Sequence, residues 1–152
     1  MGDDAKRAYV DIVRQLRPDE IDEGLAAISH PDMRAPALAL VSTLGGTSRR
    51  RALLAEDLEA LLRWGHTSTL ARAVDNLWCR EVAEVVVSLF ARGEWVSSFG
   101  IPGHHELINT VAGCMTREFA EQVVAPAIGT AAAPEAQRVL QLWYDLAVHR
   151  RA

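Results

Sequence analysis

The chain has 152 residues, 49% of them hydrophobic and 24% charged, with a formal net charge of −4. That length suits one domain with its own core, and the apolar fraction excludes a disordered tail. The acidic balance argues against a non-specific nucleic-acid binder, whose affinity comes from Lys and Arg displacing counterions from phosphates. The acidity is local. Residues 1–32 hold eight acids and four bases, so the whole deficit of four lies there and the remainder is neutral. Only Lys6 among the 16 basic residues is a lysine, which reads as codon bias toward Ala, Gly and Arg rather than selective use of the guanidinium fork.

Helical periodicity runs through almost the whole sequence. Behind Asp3 and Asp4, which suit a helix N-terminus, Ala5, Ala8, Tyr9, Ile12, Val13 and Leu16 recur at three- and four-residue spacings, and Pro18 stops that helix. Asp19 then caps a short helix carrying Ile21, Leu25 and Ile28, which ends before Pro31. Asp32 caps a third, in which Pro36 is tolerable only near the first turn, and the pair Gly45 and Gly46 closes it. A fourth starts at Thr47 or Ser48, carries Leu54, Leu58, Leu61 and Leu62 as one stripe, and ends at Gly65.

Thr67 or Ser68 caps the next helix, and no Pro or Gly interrupts residues 70–92. That leaves room for about 23 residues, or roughly 35 Å, of helix. Val82, Val85, Val86, Val87, Leu89 and Phe90 cover too wide an arc for a surface helix, so this segment is expected at the centre. The pattern breaks at EWVSSFGIPG and resumes near His104, with Leu107, Ile108, Val111, Met115, Phe119 and Val123 on one side. Gly113 and Thr116 permit a break there, and Pro126 is expected to end it. A small-residue linker, AIGTAAAP, leads to a last helix from Pro134 in which Val139, Leu142, Trp143 and Leu146 share a face. The expectation is one all-α domain over 1–152: a compact bundle of seven or eight helices around a central helix near 70–92, with an irregular helical-repeat solenoid as the alternative.

Cys79 and Cys114 lie in apolar stretches and read as free thiols rather than a disulfide framework. The opening MGDDAKRAYV is polar and acidic, unlike a signal peptide, and no apolar run approaches 18 residues. A cytoplasmic protein with no membrane span is expected.

Three segments are candidates for chemistry. In LGGTSRRR, three arginines enter the first helical turn against a macrodipole that favours acids there by about 0.3 to 1 kcal/mol each. Gly45 and Gly46 expose backbone N–H groups, and Thr47, Ser48, Arg49, Arg50 and Arg51 can bind a phosphate or carboxylate. The plainer reading pairs Arg50 or Arg51 with acids such as Glu56 or those of the N-terminal region. No P-loop spacing is present. The second segment, residues 93–106, gathers Trp95, Phe99, His104 and His105 with Ser97, Ser98 and Glu106 in a loop entering a helix, a possible ligand mouth. It has no GxSxG elbow, and adjacent histidines diverge on a helix, so neither a serine hydrolase nor a metal site is expected, and no cofactor is implied. The third, residues 57–77, superficially resembles a helix-turn-helix, with few groups suited to base edges.

Trp78 and Trp143 read as core, Trp64 and Trp95 as partly exposed. The favoured function is a non-enzymatic protein–protein interaction or adaptor module, its partner another protein or itself. The alternatives are a small-molecule binder or small enzyme using the 93–106 loop, and DNA binding through 57–77.

Overall fold

The structure, a computed structural model, describes residues 3–4, 7–8, 17–42, 45–64, 67–93 and 102–149, with the side chains of 67 and 102–104 outside that set. Among the described residues there are eight helices and no strand. They are α1 (Pro18–Ala27), α2 (Pro31–Ser42), α3 (Ser48–Trp64), α4 (Thr67–Asn76), α5 (Arg80–Ala91), α6 (Pro102–Cys114), α7 (Arg117–Phe119, continuing through a π-helical stretch Ala120–Val124 to Ala125–Ile128) and α8 (Pro134–His149). The helix expected behind Asp3 lies mostly outside the described residues.

The bundle is all-α, and its helices alternate between two layers. In one layer α2 packs on α4 and α4 on α6; in the other α3 packs on α5 and α5 on α8. Contacts of α2 with α3, α3 with α4, and α6 with α8 join the layers. One apolar cluster runs through both, from Leu38, Leu54 and Leu58 to Phe90, Leu107 and Trp143. Each fully buried Leu or Phe contributes about 1.5 to 3 kcal/mol, so this cluster rather than any polar contact supplies the driving force.

The expected 70–92 helix is two helices. Leu77 is a turn, and Cys79 is extended at φ −156°, ψ 172° while its carbonyl starts the next helix by accepting from the Ala83 N–H at 2.9 Å. No Pro or Gly is needed for the break. Asp75 and Asn76 are weak helix formers at the end of α4, and the Asn76 amide ties that end to α2 by donating to the Ser42 carbonyl at 3.2 Å. The second piece, α5, has the wide buried arc expected of a central helix: Val82, Ala83, Val86, Val87, Leu89 and Phe90. Phe90 meets Trp143 edge-on, with centroids 5.2 Å apart and planes at 72°. The Trp143 indole N–H donates to the Ile108 carbonyl at 3.0 Å, which satisfies its polar atom inside the core.

Two features of the C-terminal part depart from expectation. Thr116 makes the break that its position allowed, capping α7 by accepting from the Phe119 N–H at 3.1 Å. Pro126, however, lies inside α7. Proline lacks an N–H and clashes with the carbonyl four residues back in an α-helix; the wider π turn before it, closed by the Ala125 N–H on the Ala120 carbonyl, accommodates the ring. On α8 the buried face is Ala136, Leu140, Trp143 and Ala147, while Leu142 and Leu146 are exposed and Val139 is half-buried. Both stripes are apolar and include or flank Trp143, so periodicity alone favoured the wrong one. Trp78, expected in the core, is half-buried at its edge.

Candidate functional site

The head of α3 brings part of the basic turn together with the acidic N-terminal region. Gly45 adopts φ 134°, a conformation that favours glycine, and Thr47 caps α3 by accepting from the Arg50 N–H at 3.1 Å. The Thr47 hydroxyl donates to Asp22 Oδ2 at 2.7 Å, and Arg50 Nε donates to Asp22 Oδ1 at 2.7 Å. Arg50 Nη1 donates to the Gly45 carbonyl at 3.0 Å. Asp22 and Arg50 are both buried, so the carboxylate of α1 occupies an anion cradle made by Thr47 and Arg50. Ser48 and Arg49 stay exposed, and Arg51 is half-buried beside Gly46. A Cβ on Gly46 would stand 2.6 Å from Leu77 Cδ2 and 3.1 Å from Arg51 Nη2, so only glycine fits without a shift.

Sequence reasoning missed a second buried pair. Arg34 of α2 forks onto Asp57 of α3, with Nε to Oδ2 at 2.5 Å and Nη2 to Oδ1 at 2.6 Å. Its remaining nitrogen, Nη1, donates to the Ile28 carbonyl at 3.0 Å. The hydrogen bonds and charge of Asp57 raise the Arg34 pKa, against the opposing effect of burial, so the guanidinium stays charged at any working pH. A signal for both pairs was present. Arg50 and Asp57 fall on the same stripe of α3 as Leu54, Leu58 and Leu61, and Arg34 shares the stripe of Leu38 and Val41. A charge on a buried stripe demands a partner.

Trp95 and Phe99 lie outside the described residues, as does the His104 side chain. His105 is exposed near the start of α6, and neighbouring Glu106 accepts from the Ser68 hydroxyl at 3.2 Å, tying α6 to α4. The glycine of the helix-turn-helix candidate, Gly65, also lies outside. Its second helix, α4, is seated between α2 and α6, with Leu70, Ala71, Ala73 and Val74 buried and Arg72 exposed.

The surface is grooved along α5. Between α3 and α5 lies a groove of about 380 Å³ with Glu56, Glu59, Glu81 and Glu84 on its walls and Ala55, Val85 and Leu89 beneath; Arg92 is its one basic lining residue. A second groove of about 440 Å³, between α5 and α7, shares Glu84, Ser88 and Arg92 with the first and continues to Val123 and Ala127. A separate cleft of about 280 Å³ is lined by Trp78, Cys79, Arg80 and Phe119. Neither cysteine is in a disulfide, both are half-buried, and the Cys114 thiol donates to an Asp75 carboxylate oxygen at 3.3 Å. Among the described residues no group of three or more His, Cys, Asp or Glu is placed to hold a metal, and no helix is long and apolar enough to cross a membrane. Comparison of the chain with family models, characterised proteins and solved structures returns no match.

Proposed function

We propose that the protein is a non-enzymatic helical interaction module whose binding surface is the acidic groove between α3 and α5, and that its partner is a basic, Arg- or Lys-rich segment of another protein. The groove itself carries this reading. Among the described residues four glutamates and Arg92 line it with Ala55, Val85 and Leu89, Arg34, Arg63 and Arg80 stand beside three of the glutamates, and the channel runs on past Arg92 toward α7. Apolar contact would supply affinity, and the carboxylates would select a cationic partner and speed its approach. Three of the groove's glutamates lie in surface pairs: Glu84 accepts from Arg80 Nε at 2.9 Å, Glu59 is 3.9 Å from Arg92 and 4.0 Å from Arg63, and Glu56 is 3.6 Å from the already engaged Arg34. Such pairs exchange readily for a partner's charges. A cytoplasmic setting suits the two free thiols.

The test is anisotropy of a labelled Arg-rich peptide, with an acidic peptide as control. The basic peptide should bind, bind less at high salt, and lose about tenfold in affinity to the Glu81→Lys, Glu84→Lys double variant. Equal binding to the folded double variant, or none by the wild type at low salt and millimolar peptide, would overturn the assignment. A second reading, self-association, draws on Leu142 and Leu146, exposed one turn apart on α8. Light scattering of the wild type and of Leu142→Glu, Leu146→Glu separates it from the first.

A further inference from the structure

The cradle at the head of α3 is an occupied anion site, and its occupant belongs to a lightly attached helix. Asp22 gives one carboxylate oxygen to Arg50 and the other to Thr47, both at 2.7 Å. Among the described residues the remaining attachments of α1 are few: Asp22 and Leu25 are buried, Ile21 and Ala26 are half-buried, and its main helix contacts are to α2 and α3. Glu23 and Gly24, which follow Asp22, are exposed, as are Asp19 and Glu20 before it. Two of the bonds that shape the cradle do not involve α1. Thr47 is fixed by capping α3, and Arg50 Nη1 is held by the Gly45 carbonyl.

We propose that α1 is a releasable strap, and that a small external oxyanion, a carboxylate or a phosphate group, competes with the Asp22 carboxylate for the Thr47 and Arg50 cradle. The exchange is of like for like. An incoming oxyanion keeps the buried Arg50 charge paired, so releasing the strap in its presence avoids stranding that charge. Without such an anion, the strap stays down. Release uncovers the seat of Leu25 between α2 and α3, so anion binding and exposure of an apolar patch are one event. This inference is independent of the acidic groove, which lies between α3 and α5.

Hydrogen exchange on the full chain tests it. In the wild type, amides of α1 should exchange at least about tenfold faster than those of α3 and α5, because local opening is cheaper than global unfolding. Inorganic phosphate, at ionic strength matched with sodium chloride, should accelerate α1 further and leave α5 unchanged; acetate in the same protocol decides whether a carboxylate suffices. Asp22→Ala vacates the cradle, so phosphate or acetate should shift the amide resonances of Thr47 and Arg50 in that variant and raise its melting temperature. Adding Arg50→Met should abolish both responses. If Asp22→Ala does not fold, the wild-type phosphate experiment still decides. Exchange of α1 in step with α3, or no anion effect beyond that of chloride, would overturn the proposal.

Discussion

The two buried arginine–aspartate pairs are built from the same residue types, share α3, and differ in what they hold. Arg34 and Asp57 meet fork to fork, with both carboxylate oxygens on one guanidinium, and they join α2 to α3 within a broad apolar interface. Asp22 divides its bonds between a hydroxyl and a guanidinium, while Arg50, like Arg34, also donates to a carbonyl. Freeing the first pair means parting α2 from α3, although Arg34 Nη2 also lies 3.6 Å from the exposed Glu56 carboxylate. The second, on the strap proposal, regains water by lifting one short helix. The cost of breaking a buried pair is therefore set by the cheapest motion that rehydrates the stranded charge, as much as by the pair's own geometry.

The largest effect should follow from Asp57→Ala, which leaves the buried Arg34 with only the Ile28 carbonyl and a 3.6 Å contact to Glu56. Urea denaturation should show a loss of about 3 to 5 kcal/mol, with all probes moving together. Replacing both partners by apolar residues, Arg34→Met with Asp57→Leu, should recover most of that loss; if the double variant is no better than Asp57→Ala, stranded charge is not the cause. Asp22→Asn should cost less, about 1 to 3 kcal/mol, because release of α1 limits the penalty. A loss equal to that of Asp57→Ala would erase the contrast between the pairs. Thr47→Ala removes the α3 cap and one bond to Asp22, and a drop of about 1 kcal/mol is expected by the same assay.

The smallest effect concerns an exposed pair. A hydrogen bond from Arg63 at 2.8 Å, aided by its charge, holds the Asp32 carboxyl below the usual carboxylate range. A lowered folded value means that the pair's contribution is present above the ordinary aspartate range and is lost as pH falls through the lowered value. Carboxyl titration by NMR should find Asp32 below a free aspartate, and Arg63→Gln should return it. Little change in melting is expected, since both groups are well exposed.

Much of the helical order was readable where cap and periodicity agreed, as at Thr47 with the Leu54, Leu58 and Leu61 stripe; Asp19 and Asp32, expected as caps, instead lie in the first turns of α1 and α2, which start at Pro18 and Pro31. The split of 70–92 was not readable, because no Pro or Gly marks it and Asp75 and Asn76, which end α4, are only weakly unfavourable in a helix. Pro126 misled in the other direction, since a π turn absorbed it. The meeting of the basic turn with the acidic N-terminal region was foreseeable as charge seeking charge. Which arginine turns inward was readable only by noticing that Arg50, unlike Arg49, shares the leucine stripe. The groove along α5 could not be read from any one segment, because Glu56 and Glu59 come from α3 and Glu81 and Glu84 from α5.

The partners of the two pairs are 23 and 28 positions apart along the chain. Loops of that size close quickly and at modest entropic cost. During folding, then, the charges of α1, α2 and α3 can find one another before α4 and α5 have docked. An ion pair still in water holds little, however, and gains strength only as apolar neighbours exclude solvent. The pairs thus act as a check on register: a slipped α3 that buries Arg50 or Asp57 away from its partner meets a desolvation penalty when the leucines close.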